Sequence, residues 1–256
     1  MQPLSNHLIL QVWEAGQRQH PVDRALTILA ATYSDMPWEM LARLSVGQRD
    51  DRLLGLYEQT FDSRLVGTAD CSQCDESLEF AMPIAAMRPA NREERIGYEY
   101  LFEQDGYHLR FRLPNSFDLA AIAKQAQETG AAMDSTAASR LLLQRCVLEP
   151  AYQGQTIEVS ALPAAISAAI AAQMNQIDPQ ADITLTINCP ACEHSMTVVL
   201  DILAFLWAKI SAQARRILRD VHILAGAYGW HETDILAMST VRRQVYLDML
   251  RQRAGS

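Results

Sequence analysis

Two pairs of cysteines carry the clearest chemical signal in the sequence. Cys71-Ser-Gln-Cys74 and Cys189-Pro-Ala-Cys192 repeat one spacing, with the second thiol three positions after the first. On a tight turn such a pair can aim both sulfurs at one ion. Two pairs together supply four thiolates, the tetrahedral set that suits zinc. Pro190 stiffens the second turn. Cys71 and Cys189 lie 118 residues apart, whereas the CxxC turns of one zinc site are usually separated by about 15–20 residues. An insertion between the two halves of a zinc ribbon would account for the gap. Two alternatives stand beside this reading: inert thiol pairs, or a redox-active CxxC. A redox CxxC opens a helix after a buried strand, and no helical pattern follows either pair. One structural zinc ion held by Cys71, Cys74, Cys189 and Cys192 is therefore the expected cofactor. A site closed by four thiolates keeps no open position, so no catalysis at the metal is expected.

The remaining reactive residues point to no enzyme. Cys146 lies in the apolar run from Leu141 to Leu148 and reads as a small buried hydrophobe. His194, two residues past Cys192, reads as a surface residue of the knuckle. His231-Glu232 is not the HExxH metalloprotease motif, because position 235 is Ile. There is no glycine-rich phosphate loop and no GxSxG. The acid pairs Asp50-Asp51 and Glu93-Glu94 have no convergent partner and read as solvated surface. Lys124 and Lys209 are the only lysines, so most positive charge is arginine, which makes fixed, bidentate contacts.

The elements that must position the cysteines show in the periodicity. Strands over 65–70 and 78–82 flank the first pair, and strands over 183–188 and 196–200 flank the second. Ile183, Leu185 and Ile187 alternate with Thr184, Thr186 and Asn188, the period of a half-buried strand. Each pair thus sits at the tip of a β-hairpin. Residues 1–64 read as helices: Pro21 opens a run to Tyr33, Asp35 caps the next, Ser45 and Gly47 break it, and Asp50 or Asp51 leads into a run ending near Phe61. Between the hairpins, Gln104-Asp105-Gly106 joins two strands and Ser116 caps a helix. Another helix spans 135–146, a short strand 155–159 and an alanine-rich helix 162–177. Leu203, Trp207, Ile210, Ala214, Ile217, Val221 and Leu224 step by fours and threes along one face of a long helix, a core seam in preference to a coiled coil. Gly226 and Gly229 interrupt it, and two short helices follow, the last capped by Ser239.

The expected fold is α+β and mostly helical. A helical region (1–64) precedes a discontinuous zinc ribbon (65–82 with 183–200), an α/β insert (83–182) lies within the ribbon, and a second helical region (201–256) closes the chain. At 256 residues, 49% hydrophobic and 20% charged, the chain is long and apolar enough for a core and is not a disordered polymer. No apolar run approaches the length of a membrane span. The N-terminus predicts no signal peptide, and with an odd cysteine count this argues for a reducing compartment. The net charge of −8 divides into +4 from Trp207 onward and −12 before it. That balance disfavours nucleic acid as a partner and makes the C-terminal segment either a docking face or a solvated helical surface.

Several short motifs in fixed order resemble the T-even-type bacteriophage baseplate protein family, whose relatives include parts of phage-tail-like contractile injection systems. They are Leu44-Ser45-Val46-Gly47-Gln48-Arg49-Asp50, similar to a Leu-Pro-x-Gly-x-Arg-Asp element with Ser45 in place of proline, then Cys71–Cys74, Phe111-Arg112-Leu113-Pro114 and Cys189–Cys192. The stretch from Ala208 to Leu250 follows, with Ala214-Arg215-Arg216-Ile217-Leu218 and Tyr228-Gly229-Trp230. The resemblance implies a non-enzymatic structural or assembly role in a baseplate or hub, among other baseplate or hub proteins. It implies assembly in the bacterial cytoplasm and a place in the finished particle for some members. A zinc-ribbon regulator that binds nucleic acid or the transcription apparatus is the alternative. Within residues 228–251, Trp230 and Tyr246 are expected anchors for a partner and Arg242 and Arg243 expected partners for its carboxylates. The competing expectation is that Trp230 and Tyr246 only pack this segment onto the body.

Overall fold

A computed structural model describes residues 2–88, 96–129 and 134–254. The pair Glu93-Glu94 lies outside them. Four helices come first: α1 (Asn6–Gly16), α2 (Pro21–Thr32), α3 (Trp38–Arg43) and α4 (Val46–Thr60). The hairpin β1 (Arg64–Asp70) and β2 (Ser77–Pro83) and the single turn α5 (Ile84–Met87) follow. The insert contains β3 (Glu99–Gln104), β4 (Tyr107–Arg112), α6 (Ser116–Thr129), α7 (Ser135–Cys146), β5 (Val147–Tyr152), β6 (Gln155–Thr156) and α8 (Ala164–Ile177). The hairpin β7 (Thr184–Asn188) and β8 (Ser195–Val199) comes next, and α9 (Ile202–Tyr228), α10 (Glu232–Ala237) and α11 (Thr240–Ala254) end the chain. The fold is mixed α/β and mainly helical, as expected.

The largest core joins both ends of the sequence. Ile9, Leu26, Ile28, Leu53 and Leu56 of the first helices pack with Leu206, Ile210 and Ile217 of α9. The apolar steps along α9 therefore serve as a core seam, with Ile210, Ala214, Ile217 and Leu224 fully buried and Trp207 and Val221 half-buried. Trp207 lies against Gly16 and under the Arg24 guanidinium, 4.3 Å from its ring centre. Ile217→Ala should cost about 2–5 kcal/mol in denaturant unfolding, the range for truncating a fully buried aliphatic side chain. A loss below about half a kcal/mol would show that the seam is not core.

Local chemistry moves several boundaries. The helix expected to begin near Asp50 or Asp51 starts at Val46, because Ser45 and Gln48 form a capping box that supplies a nucleus upstream. Asp35 caps nothing, since α3 begins after Pro37 with no side-chain cap bond. Ser116 lies inside α6 with its hydroxyl unbonded. Asn115 accepts the amides of Phe117 and Asp118 in its place. The strand expected over 155–159 is only β6, followed by a 3-10 turn at Val159–Ala161. Helix α9 runs past Gly226 and stops at Gly229, whose φ of 68° provides the left-handed cap.

The insert has its own core of Phe102, Leu109, Phe111, Cys146, Ile166 and Ile170 around the sheet order β3-β4-β5-β6. The sequence reading missed β5. Glu149 takes a positive φ of 48° opposite a register shift in β4, a bulge that admits Pro150 to the strand.

The two ordered motifs around Gly47 and Phe111 meet where the insert joins the helical body. The Val46 amide donates to Pro114 O at 2.9 Å, and the Gly47 amide donates to Asp178 Oδ2 at 2.9 Å. A side chain at residue 47 would collide with the Asp178 carboxylate, so this position requires glycine. Asp50 and Asp51 are not solvated surface. Their side chains are 13% and 11% exposed, paired with Arg49 at 2.7 Å and Arg88 at 2.8 Å respectively. Helix α4 buries them because it packs against α2, α9 and the turn at Pro179–Ala181.

Candidate metal centre

Each hairpin pairs in a plain antiparallel register, Arg64 with Pro83 through Asp70 with Ser77, and Thr184 with Val199 through Asn188 with Ser195. The two hairpins form separate two-stranded sheets. A lone hairpin is marginal in water, and here the apolar faces meet: Leu78, Ile187 and Met196 pack with Cys71, Cys189 and Cys192.

The connecting turns are copies of one another. In the first, Cys71 O accepts the Asp75 amide and the Cys71 amide donates to Glu76 O, both at 2.9 Å. In the second, Cys189 O accepts the Glu193 amide and the Cys189 amide donates to His194 O, again at 2.9 Å. The residue after each second cysteine is left-handed, Asp75 at φ 57° and Glu193 at φ 60°. Neither is glycine, so the turn type is not legible from composition alone. Identical turns present their sulfurs identically, and the two hairpins bring them together. The sulfurs of Cys71, Cys74, Cys189 and Cys192 all lie within 4.8 Å of one another. Cys71–Cys192 and Cys74–Cys189 are each 3.6 Å apart. A tetrahedron with metal–sulfur bonds of about 2.3 Å has edges of about 3.8 Å, so the four sulfurs fit one thiolate-bound ion. Backbone amides, first that of Gln73 and then that of Cys74, lower the Cys71 thiol to about 7. At Cys74 the Glu76 amide pulls the other way, but the sulfurs of Cys192, Cys189 and Cys71 and desolvation push the thiol up to about 12. Four thiolates this close repel, and a cation at their centre removes the conflict.

His194 is not in the sulfur cluster. Its Nε2 lies 3.3 Å from Ser72 Oγ and links one knuckle to the other. Cys146 is elsewhere, fully buried in the insert, where burial pushes its thiol up to about 12. It packs in the apolar core as the sequence indicated, and its Sγ also faces Asp118 Oδ2 at 3.9 Å.

The four residues expected to meet a partner are split. Tyr228, Trp230 and Tyr246 form a half-buried aromatic group: Tyr228 stacks on Trp230 at 4.5 Å, and Trp230 meets Tyr246 edge-on at 4.8 Å. They pack beside Leu224, Ile235 and Leu247 in a small core made by α9, α10 and α11. Arg242 is exposed, with its guanidinium 5.9 Å from the Tyr246 ring centre. Arg243 is not offered to a partner. It is 1% exposed, because it falls on the inner face of α11 with Leu247 and Leu250. With the Asn6 carboxamide oxygen turned toward it, its two terminal nitrogens donate at 3.2 and 2.9 Å. Arg243 thus ties α11 to α1.

The family described as T4 bacteriophage base plate protein matches residues 8–207. The chain belongs to this family. No curated protein and no solved structure matches it. The match takes in both cysteine turns, the motifs around Gly47 and Phe111, and the start of α9. It stops at Trp207, so the stretch from Ala208 to Leu250, which weighed in the resemblance, lies beyond it. No helix among the described residues is long and apolar enough to cross a membrane.

Proposed function

We propose that the chain is a non-enzymatic assembly or structural component of a phage-type baseplate, in a phage tail or a contractile injection system. In this reading it works through contacts with other baseplate or hub proteins. The observation that carries the proposal is the family match over 8–207, which includes the sulfur cluster. The four cysteines hold one zinc ion whose work is structural. It joins the two hairpins into one ribbon and fixes the insert (83–182) between the helical regions (1–64 and 201–256). With all four positions filled by thiolates the ion has no site for substrate, which supports a role without catalysis. The regulator alternative gains nothing from the family.

The segment from Tyr228 to Arg251 is the proposed docking element, with Arg242 at its surface, Trp230 and Tyr246 half-buried beside it and Arg243 in the interior. Val241, Val245 and Met249 add an apolar stripe on the outer face of α11, 76%, 48% and 46% exposed, at the i, i+4, i+8 spacing of a helix contact face. Deleting the gene should abolish assembled tail-like particles in electron micrographs while tube and sheath subunits are still expressed. Normal particles in the deletion strain would refute the proposal.

A further inference from the structure

Helices α9 and α11 do not close on each other along their full length. A groove of about 490 Å3 runs between them, two helical turns long on either wall. Ile223, Leu247 and Leu250 give it an apolar lining, and Arg216, Arg219 and Arg251 stand along it. Arg251 shares its guanidinium with Asp248 at 2.9 Å. Arg216 and Arg219 are exposed and make no ion pair among the described residues. Three positions apart on α9, they project to the same side. One acid, Asp220, belongs to the lining.

The surroundings add positive charge. Arg243 is buried against the same pair of helices, its Nε has no hydrogen-bond partner, and no carboxylate pairs with it among the described residues. Burial holds the Arg243 guanidinium below its ordinary value, with Asp220 opposing that shift and Arg216 adding to it. Arg243 itself is held inside by Asn6, so it adds positive charge beside the groove without being offered at its surface. The segment from Trp207 onward carries +4 against −12 for the rest of the chain, and the groove, with three arginines and one aspartate in its lining, lies within that positive segment of an acidic protein. The larger groove between α7 and α8, about 690 Å3, has one charged side chain, Arg140, and no comparable complementarity.

We infer that the α9–α11 groove receives an acidic amphipathic helix of a partner protein. Its aliphatic side chains lie on Ile223, Leu247 and Leu250, and its carboxylates pair with Arg216, Arg219 and Arg251. A wholly apolar helix would leave the guanidiniums without partners. A nucleic acid would find apolar walls where it needs phosphate contacts, and would be repelled by the acidic body. The inference rests on the proposed role in protein–protein assembly and names the chemistry of one contact.

The probe is a fluorescent, end-blocked helical peptide of leucine and glutamate at heptad spacing, titrated into the full-length chain and followed by anisotropy. Its control carries lysine in place of glutamate. The glutamate peptide should bind and the lysine peptide should not. Arg216→Glu with Arg219→Glu should weaken binding roughly tenfold or more, while circular dichroism and metal content stay as in the unaltered chain because both side chains are exposed. Ile223→Asp should weaken it independently of charge reversal on the arginines. Unchanged affinity in the double variant, equal binding of the lysine peptide, or displacement by duplex DNA at matched charge would overturn the inference, the last pointing to a nucleic-acid site. In cells, the double variant should fail to restore particles to the deletion strain. Full restoration would sink the groove while leaving the assembly role intact, and particle formation without the gene would remove the assembly role itself.

Discussion

Cys189→Ser is expected to abolish the proposed metal binding and to release the cysteine-bearing ends of both hairpins, although it alters only one of the four sulfurs. Structural zinc in small sites contributes on the order of 10–16 kcal/mol of apparent binding free energy at neutral pH. The cysteine-bearing ends of the hairpins have little else to replace it, whereas their far ends are held by the main core through Leu65, Phe80, Met82 and Leu185. The hairpins are two separate two-stranded sheets whose common apolar cluster is small, with Leu78, Ile187 and Met196 as its members besides the cysteines. Hydrogen exchange should show β1, β2, β7 and β8 losing amide protection at their cysteine-bearing ends, while α1, α2, α4, the first half of α9 and the strand ends packed on them keep theirs through the main core. Cys146→Ala is the matched control and should keep its metal, because Cys146 packs in the insert core away from the sulfur cluster. Equal metal content in the Cys189→Ser and Cys146→Ala variants would contradict the ligand assignment.

The second large effect is expected at Asp118, whose side chain is fully buried at the centre of the insert. It accepts both terminal nitrogens of Arg112, at 2.6 and 2.9 Å, and Arg145 Nε at 2.8 Å. The Asn115 amide donates to it at 3.0 Å, and the Cys146 thiol lies 3.9 Å from Oδ2. One carboxylate thus ties β4 to α6 and α7. Asp118→Ala would leave the Arg112 guanidinium half-buried without its partner, a change that typically costs about 3–5 kcal/mol. The effect should show as early unfolding of the insert with the main core intact. The pH dependence has a definite sign. Burial raises the Asp118 carboxyl, but Arg112, the Asn115 amide and Arg145 outweigh it and hold the group below the ordinary carboxylate range. A depressed value in the folded state means that the carboxylate adds stability above its unfolded pKa, and that this contribution fades as pH falls through the folded value. Acid titration should therefore destabilise the original insert more than the Asp118→Ala insert. Parallel titration curves would show that Asp118 is not the node of the network.

The parts of this structure that follow local rules were legible in the sequence. Both CxxC hairpins, the strands around Asp105-Gly106, the helices over 21–32 and 135–146 and the seam on α9 all announce themselves by local period or spacing. That two cysteine turns so distant in the chain would meet was legible only because four thiols in two CxxC pairs suit one common ion. Features set by tertiary contact were not. Asp50 and Asp51 look like surface acids, and only the passage of α4 through the body, with Arg49 and Arg88 beside it, buries them. Arg243 looks like its exposed neighbour Arg242. The difference is one position on a helix, which turns Arg243 inward to Asn6. The position of Arg243 relative to Leu247 and Leu250, i+4 and i+7, was a signal that could have placed it inside. Strand β5 was hidden because Pro150 argues against a strand, and the bulge that accommodates it depends on its pairing with β4.

The sulfur cluster is where the sequence repeat, the fold and the family match coincide. Elemental analysis of the full-length chain, purified under reducing conditions without chelator, tests the account most directly. One zinc per chain is the predicted result, lost on Cys189→Ser and retained on Cys146→Ala. A folded, fully reduced chain that contains no metal would contradict it.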